Sequence, residues 1–213
     1  MDGKRSRNAE QSRQDILKAA EQQFGEKGFY GARIDAIAQQ SGLNKNMIYI
    51  YFGSKEELYR NVLLGMYRRM EDVERSLIEK ELAGSALIAE LISAYFDFLD
   101  QNSSFVNILM SENLMQAQFL KQIPQEYIER KTLDEIAKKI RMSSENGEFR
   151  SDIDEKQAVL TMITICFSNF SNRYTLSKLM GYDIHDGAIL EKRKQQTIDI
   201  MLSYLTNKAG IRA

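Results

Sequence analysis

The stretch from Gly28 to Leu58, GFYGARIDAIAQQSGLNKNMIYIYFGSKEEL, predicts the fold of the N-terminal part of this 213-residue chain. It contains two short helical patterns, about 34–40 and 45–52, that are separated by a Ser-Gly turn. The second pattern carries an amide, a lysine and tyrosines where a solvent-facing helix usually carries glutamates. Such a face is typical of a helix that enters the major groove of DNA.

The spacing of small and apolar residues fits a helix-turn-helix, in which two short helices cross closely and one stays exposed. Ala38 supplies a small side chain at the crossing, and Gly42 tolerates the positive φ that a sharp turn needs. A plain helical hairpin inside an α-bundle, with polar residues that merely face water, has the same spacing, so both interpretations stay open at this point. The predicted inward-facing residues are Ile34, Ile37, Leu43, Ile48 and Phe52.

The opposite face of the second helix carries residue types that suit DNA. Asn46 can bond an adenine edge in two places, and Lys45 can reach guanine O6 and N7 or a phosphate. The Tyr49 hydroxyl and the free N–H groups at a helix start suit phosphate oxygens. Asn44 is predicted to cap the helix. Lys55, in the first turn of the next helix, is placed for the flanking phosphate.

The N-terminal part of the chain carries the net positive charge that suits binding to DNA phosphates. The first 60 residues hold ten Lys and Arg against eight Asp and Glu, whereas the whole chain has a net charge of −1. Lys4, Arg5 and Arg7 form a short basic tail. This tail is either a solvated terminus or an arm that touches the DNA backbone.

Composition excludes most catalytic classes. One cysteine, Cys166, and one histidine, His185, leave no residues for a disulfide framework, a multi-cysteine zinc site or an HExxH motif. The chain also lacks GxSxG, P-loop and GxGxxG patterns, so we predict no enzyme activity, metal or cofactor. We expect Cys166 to be a buried, inert thiol and His185 to be a surface residue.

The remaining pattern predicts an all-α fold of about nine helices, because only one proline occurs and strand-type alternation is scarce. No signal peptide or membrane-length apolar run is found, so we expect a cytoplasmic protein without membrane contact. We predict a DNA-binding domain at 1–54 and an effector-binding and dimerisation domain at 55–213, joined by the fourth helix. The other predicted helices include 9–26, a fourth helix from a Ser54–Glu57 capping box to about 81, one opened by Pro124, one from Asp152 to Met180, and a last one at 188–207.

The segment from Gln11 to Leu58 resembles the N-terminal DNA-binding domain of the tetracycline-repressor (TetR-type) family of bacterial regulators. The matched residues are IL-AA at 16–20, FGEKGF at 24–29 and IDAIAQQSGLNKNMIYIYFGSKEEL at 34–58. The resemblance implies that Tyr49, Tyr51 and Lys55 contact phosphates, while Lys45, Asn46 and Met47 approach bases.

Two positions depart from the family pattern. Ala32 and Arg33 stand where the family usually has a Thr/Ser pair that caps the second helix and touches a phosphate. Arg33 would make that contact by charge, and the cap must come from elsewhere. Asn46 replaces a common glycine and adds a polar side chain beside the groove.

The resemblance also implies a function for the rest of the chain. It implies that the last two long helices form a homodimer, that the dimer binds a palindromic operator, and that a small effector releases the DNA. Two-fold symmetry would set the recognition helices roughly 34–36 Å apart. An alternative is a DNA-binding protein that a protein partner controls, without a small-molecule pocket. Methionines and aromatics at helical spacing are more often core than ligand site. The candidates include no charged or His cluster, and this absence favours an uncharged or lipophilic ligand. The candidate effector-binding residues are Tyr95, Phe98, Phe105, Met110, Tyr127, Met162, Cys166 and Phe170.

Overall fold

A computed structural model describes residues 2–128 and 131–206, with side chains from Ala9 onward. This part of the chain is all-helical, with ten α-helices and two 3-10 turns, so the predicted fold class is confirmed. The predicted basic tail lies outside the described side chains, and Asn207 lies outside the described residues. The helices are α1 Asp2–Gly31, α2 Ile34–Ser41, α3 Lys45–Phe52, α4 Lys55–Ile78, α5 Gly84–Gln101, α6 Ser103–Leu114, α7 Lys131–Glu145, α8 Glu155–Ser171, α9 Arg173–Met180 and α10 Gly187–Thr206.

The chain divides into two compact units. Unit 1 comprises Met1–Arg69 and Asn102–Glu129, and unit 2 comprises Met70–Gln101 and Arg130–Ala213. These units are defined by packing alone, and the functional boundary between residues 54 and 55 stays a prediction.

Unit 1 is built on α1, which packs against α2 and α6, while α2 packs against α3. α1 begins earlier than predicted, and its regular part ends at Gly28, whose φ of 66° only glycine adopts easily. One further turn follows, closed by the Ala32 N–H, which donates to the Gly28 carbonyl at 3.1 Å. The apolar faces of α1, α4 and α6 meet in a core that includes Ile16, Ala20, Phe24, Leu58, Tyr59, Leu63, Met66, Phe105 and Ile108.

Unit 2 packs α5 against α8 and α10, and α7 against α8. α5 has apolar residues around most of its circumference, and this is why it lies in the centre of the unit. Glu74 is fully buried in this unit, where the Tyr95 hydroxyl and the Thr132 hydroxyl both donate to its carboxylate. These bonds satisfy a charge-bearing group that would otherwise be costly to bury.

Three predicted helix boundaries are wrong. Pro124 opens a 3-10 turn, and α7 begins only at Lys131, because the fixed proline φ suits a turn as well as a first helical turn. α8 is capped by Asp154, which accepts from the Gln157 N–H at 3.0 Å, while Asp152 pairs with Arg150. The long helix predicted to reach Met180 is interrupted at Asn172, between α8 and α9.

Candidate nucleic-acid interface

The turn between α2 and α3 has the geometry that the sequence predicts. Gly42 adopts a left-handed conformation with φ 70°, and the Leu43 N–H donates to the Ala38 carbonyl at 3.1 Å. Asn44 caps α3, since its side-chain oxygen accepts from the Met47 N–H at 3.0 Å. Short helices are marginal alone, so this cap and the turn fix where α3 begins.

The inward face of the motif is buried as predicted. Ile37 and Ile48 are fully buried, and Ile34, Ala38 and Phe52 are nearly so. Leu43 is only half-buried. Because Ile48 and Phe52 anchor one side of α3, the opposite side is held toward solvent.

That outward face contains most of the predicted DNA contacts. Asn44, Lys45, Asn46 and Tyr49 are exposed, whereas Met47 and Tyr51 are half-buried at the edges of the face. Ile50, which is not among the predicted contacts, also lies on this face and is 72% exposed. Residue type alone does not indicate this exposure, because an isoleucine in a helix is expected to face the core. The position of Ile50 on the side of α3 opposite Ile48 does indicate it.

Lys45 is held by an ion pair. Its Nζ lies 2.9 Å from Asp35 Oδ1 in the first turn of α2, and this hydrogen bond raises the pKa of Lys45. Both side chains are largely exposed. The pair joins α3 to α2 and offsets part of the positive charge of the ammonium, so a phosphate or base must compete with Asp35 for Lys45.

Arg33 is the exposed N-cap residue of α2, in an extended conformation with φ −115° and ψ 135°. Its carbonyl accepts from the Ala36 and Ile37 N–H groups, but its side chain makes no capping bond. Arg33 therefore does not replace the side-chain cap that the family's Thr/Ser pair supplies. It stands at the N-terminal end of α2, where the helix favours an anion.

Lys55 has structural contacts that the sequence does not predict. Its Nζ donates to the Ala32 carbonyl at 2.5 Å and lies 4.8 Å from the centre of the Phe29 ring. Partial burial lowers the pKa of Lys55. An ammonium has three N–H donors, so one bond to Ala32 leaves two for a phosphate, and the residue fixes the start of α4 as well.

Phe29, which supports Lys55, is itself clamped by the chain that follows α6. The Phe119 ring lies 4.2 Å from that of Phe29 and 5.0 Å from that of Tyr59, centre to centre. Glu112 holds this connector, since its carbonyl accepts from the Ala117 N–H and its Oε2 from the Leu120 N–H. The contacts Phe119–Phe29–Lys55 therefore link residues 115–123 to the predicted phosphate-binding side of unit 1.

The candidate effector-binding residues are divided between the two units. Six are buried, but Met110 and Tyr127 are exposed, and Phe105, Met110 and Tyr127 belong to unit 1 while the other five belong to unit 2. Their assignment to an effector site stays a prediction. The buried ones in unit 2 are Tyr95, Phe98, Met162, Cys166 and Phe170.

One expectation about polar groups in unit 2 needs correction. His185 is not a surface residue: only 4% of its side chain is exposed, its Nε2 lies 3.2 Å from the Asn169 carbonyl, and its ring packs edge-on against Phe170. The histidine follows α9 in a short turn that folds back onto α8, and sequence spacing cannot show this.

Cys166 is buried, and burial raises the pKa of its thiol to about 12. A protonated thiol is a poor nucleophile, and this agrees with the expected inert cysteine. Within the described ranges, no cluster of three or more His, Cys, Asp or Glu side chains could hold a metal ion. No helix there has both the length and the apolar character to cross a bilayer.

A polar cleft of about 440 Å³ lies in unit 1 beside α1 and the start of α6. Lys18, Glu21 and Arg69 line it, and Arg69 pairs with Glu21 at 2.7 Å. None of the eight candidate effector-binding residues lines this cleft.

Comparison with known proteins matches both parts of the chain to one family. The family model for bacterial regulatory proteins, tetR family, matches residues 16–62, and the model for the tetracyclin repressor-like C-terminal domain matches residues 85–201. The HTH-type transcriptional repressor NicS of Pseudomonas putida is 32% identical over 185 residues, 86% of this chain and 87% of NicS.

Solved structures show the same fold. The ketosteroid transcriptional regulator KstR2 of Mycobacterium tuberculosis superposes with a TM-score of 0.70 at 22% identity, covering 92% of this chain and 95% of KstR2. The regulator FadR from Bacillus subtilis, in complex with stearoyl-CoA, gives a TM-score of 0.64 at 19% identity, covering 90% of this chain and 98% of FadR.

Proposed function

The chain belongs to the tetR family of bacterial regulatory proteins and is a DNA-binding transcriptional regulator rather than an enzyme. We propose that it is a repressor that binds a palindromic operator as a homodimer and that a small, lipophilic effector bound in unit 2 releases it from DNA. NicS, the relative that matches over most of both chains, is named a repressor.

The observation that carries the DNA-binding part is the outward face of α3. The helix is capped by Asn44, is anchored by Ile48 and Phe52, and contains no acidic residue between Lys45 and Phe52. A carboxylate-free face with an amide, a lysine and tyrosines suits an anionic groove, where phosphate contacts give affinity and base contacts give specificity.

Homodimerisation is supported by exposed apolar side chains on the last three helices. Such side chains are costly in water unless a partner covers them, and a two-fold contact would place the same patch on both subunits. The exposed apolar residues on these helices and the turn after α9 are Leu160, Tyr174, Leu176, Leu179, Met180, Tyr182, Ile200 and Tyr204.

Effector control is proposed as a population shift. An effector that binds better to one arrangement of the DNA-reading helices than to another would favour that arrangement and lower operator affinity. α4 contributes residues to both units, because the division falls between Arg69 and Met70 within that one helix. KstR2 is named for ketosteroids and FadR was solved with stearoyl-CoA. A steroid skeleton and an acyl chain are both apolar, and this supports a ligand with a large apolar part here.

The proposal is tested by selecting binding sites from a pool of random duplexes with the full chain. We expect a palindrome with half-sites about one DNA turn apart and binding that weakens steeply with salt. No enriched sequence would contradict the DNA-binding proposal, and an enriched single half-site would contradict the homodimer.

The dimer is tested by sedimentation of wild type and Ile200→Glu, which places a charge among the exposed apolar residues of α10. We expect dissociation and loss of palindrome binding. Leu114→Glu, at an exposed apolar residue of α6, is the control and should leave the dimer intact. If both variants stay dimeric, the interface lies elsewhere.

A further inference from the structure

We propose that Ile50 selects thymine in the operator by packing against the C5-methyl group of the base. This inference rests on the proposed function and deepens it, since it assigns a base to a residue that the sequence analysis did not select. It starts from the exposure of Ile50, which is 72% exposed on a short helix anchored by the buried Ile48 and Phe52.

Ile50 lies in the middle of the outward face of α3. An α-helix turns about 100° per residue. Ile50 therefore points about 180° away from the direction midway between the buried Ile48 and Phe52. Asn46, one turn earlier, lies about 40° around the helix from Ile50. Ile50 and Asn46 therefore share the middle of the outward face.

The neighbours of Ile50 are those of a nucleic-acid surface. Tyr49 lies on one side of it and Met47 and Tyr51 on the other, and α3 itself contributes no carboxylate. A protein-binding patch would gather several exposed aliphatic side chains, whereas Ile50 is the one exposed aliphatic residue of α3 and Met47 beside it is half-buried. The major groove presents only one apolar group, the thymine methyl, so it is the complement that Ile50 can find there.

The spacing restricts where that thymine lies. Residues four apart on a helix are about 6 Å apart along its axis, and successive bases of one strand are about 3.4 Å apart. If Asn46 bonds an adenine edge, the thymine that Ile50 contacts lies within about two base pairs of it, on either strand. Each half-site should then contain a short A·T-containing core.

The test removes one methyl group at a time. The duplex obtained by selection with the full chain is resynthesised with each thymine in turn replaced by deoxyuridine, which lacks only that methyl. We expect one position per half-site at which wild-type affinity falls about fourfold, the size expected for one methyl taken out of an apolar contact. A 5-bromodeoxyuridine at that position, which restores bulk at C5, should restore affinity.

The matching protein variant is Ile50→Ala, which should bind the thymine and deoxyuridine duplexes equally well. Leu114→Ala, at a residue that is 85% exposed in α6, is the control and should keep the fourfold difference. Thermal unfolding of both variants should match wild type, because neither side chain is buried.

Two results would overturn the inference: a wild type that responds to no thymine methyl, or an Ile50→Ala variant that keeps the full response. Either leaves specific DNA binding intact. Failure of the proposed function gives a different result, since no duplex would then be enriched in the selection.

Discussion

The outward face of α3 and the interior of unit 2 differ in how they hold their candidate functional residues. On α3, Lys45, Asn46 and Tyr49 are exposed and their packing role is small. In unit 2, Met162 and Cys166 are buried, so they contribute to the core whether or not they also contact a ligand. Substitutions on the face of α3 should therefore change binding with little effect on stability, whereas substitutions of the buried residues of unit 2 should change stability whether or not they line a ligand site.

The first prediction concerns a buried residue on which the exposed surface depends. Phe119→Ala removes a ring that contacts Phe29 and Tyr59, and it should cost about 3–5 kcal/mol of unfolding free energy. DNA affinity should fall as well, because Phe29 supports Lys55. Urea unfolding and a DNA-binding titration measure both effects, with Leu114→Ala as control. Unchanged DNA affinity in a folded Phe119→Ala protein would show that the connector has no influence on the interface.

The second prediction asks whether Met162 belongs to the core. Met162→Ala should cost about 2–5 kcal/mol of unfolding free energy, because the side chain is fully buried. Met142→Ala, at an exposed methionine of α7, should cost less than about 0.5 kcal/mol. A cost below about 1 kcal/mol for Met162→Ala would instead indicate a side chain that lines a pre-formed cavity.

These two cases show why the sequence predicts the regions unequally. The turn at Gly42, the cap at Asn44 and the buried Ile48 follow from local rules, and the structure has all three. The burial of Glu74 and His185 depends on residues distant in sequence, Thr132 and Asn169, that packing brings next to them. Long-range contacts of this kind leave no periodic signal.

The third prediction uses the Cys166 thiol as a probe of the interior. Its pKa is raised from 9.0 to about 12 by burial, so the folded state keeps a proton that the unfolded state loses above pH 9. The unfolding free energy should therefore fall with rising pH between pH 9 and pH 12, by up to about 1.4 kcal/mol per pH unit from this group. Cys166→Ala lacks this contribution. A constant difference between wild type and Cys166→Ala from pH 8 to 11 would contradict a buried thiol.

The fourth prediction concerns the start of α3. Asn44→Ala removes the side-chain oxygen that accepts from the Met47 N–H, and it should cost about 1 kcal/mol of unfolding free energy. Asn44→Ser keeps a capping oxygen and should cost little. Equal losses in the two variants, measured by urea unfolding, would mean that the cap does not stabilise α3.

The fifth prediction has the smallest effect and concerns the Lys45–Asp35 pair. Asp35→Asn removes the carboxylate that competes for Lys45 and should tighten DNA binding a few-fold, with a salt dependence steeper by about one ion. Glu10→Gln, an acidic-to-amide change in α1, is the control. If Asp35→Asn bound DNA less tightly, Asp35 would be positioning Lys45 rather than competing for it.

We propose that the outward face of α3 reads bases while Lys55 holds a phosphate. The most direct measurement compares the ranking of selected duplexes by wild type, Asn46→Ala and Lys55→Ala. We predict that Asn46→Ala reorders the ranking, whereas Lys55→Ala weakens every duplex by a similar factor and keeps the order. A reordered ranking with Lys55→Ala and an unchanged one with Asn46→Ala would contradict the claim.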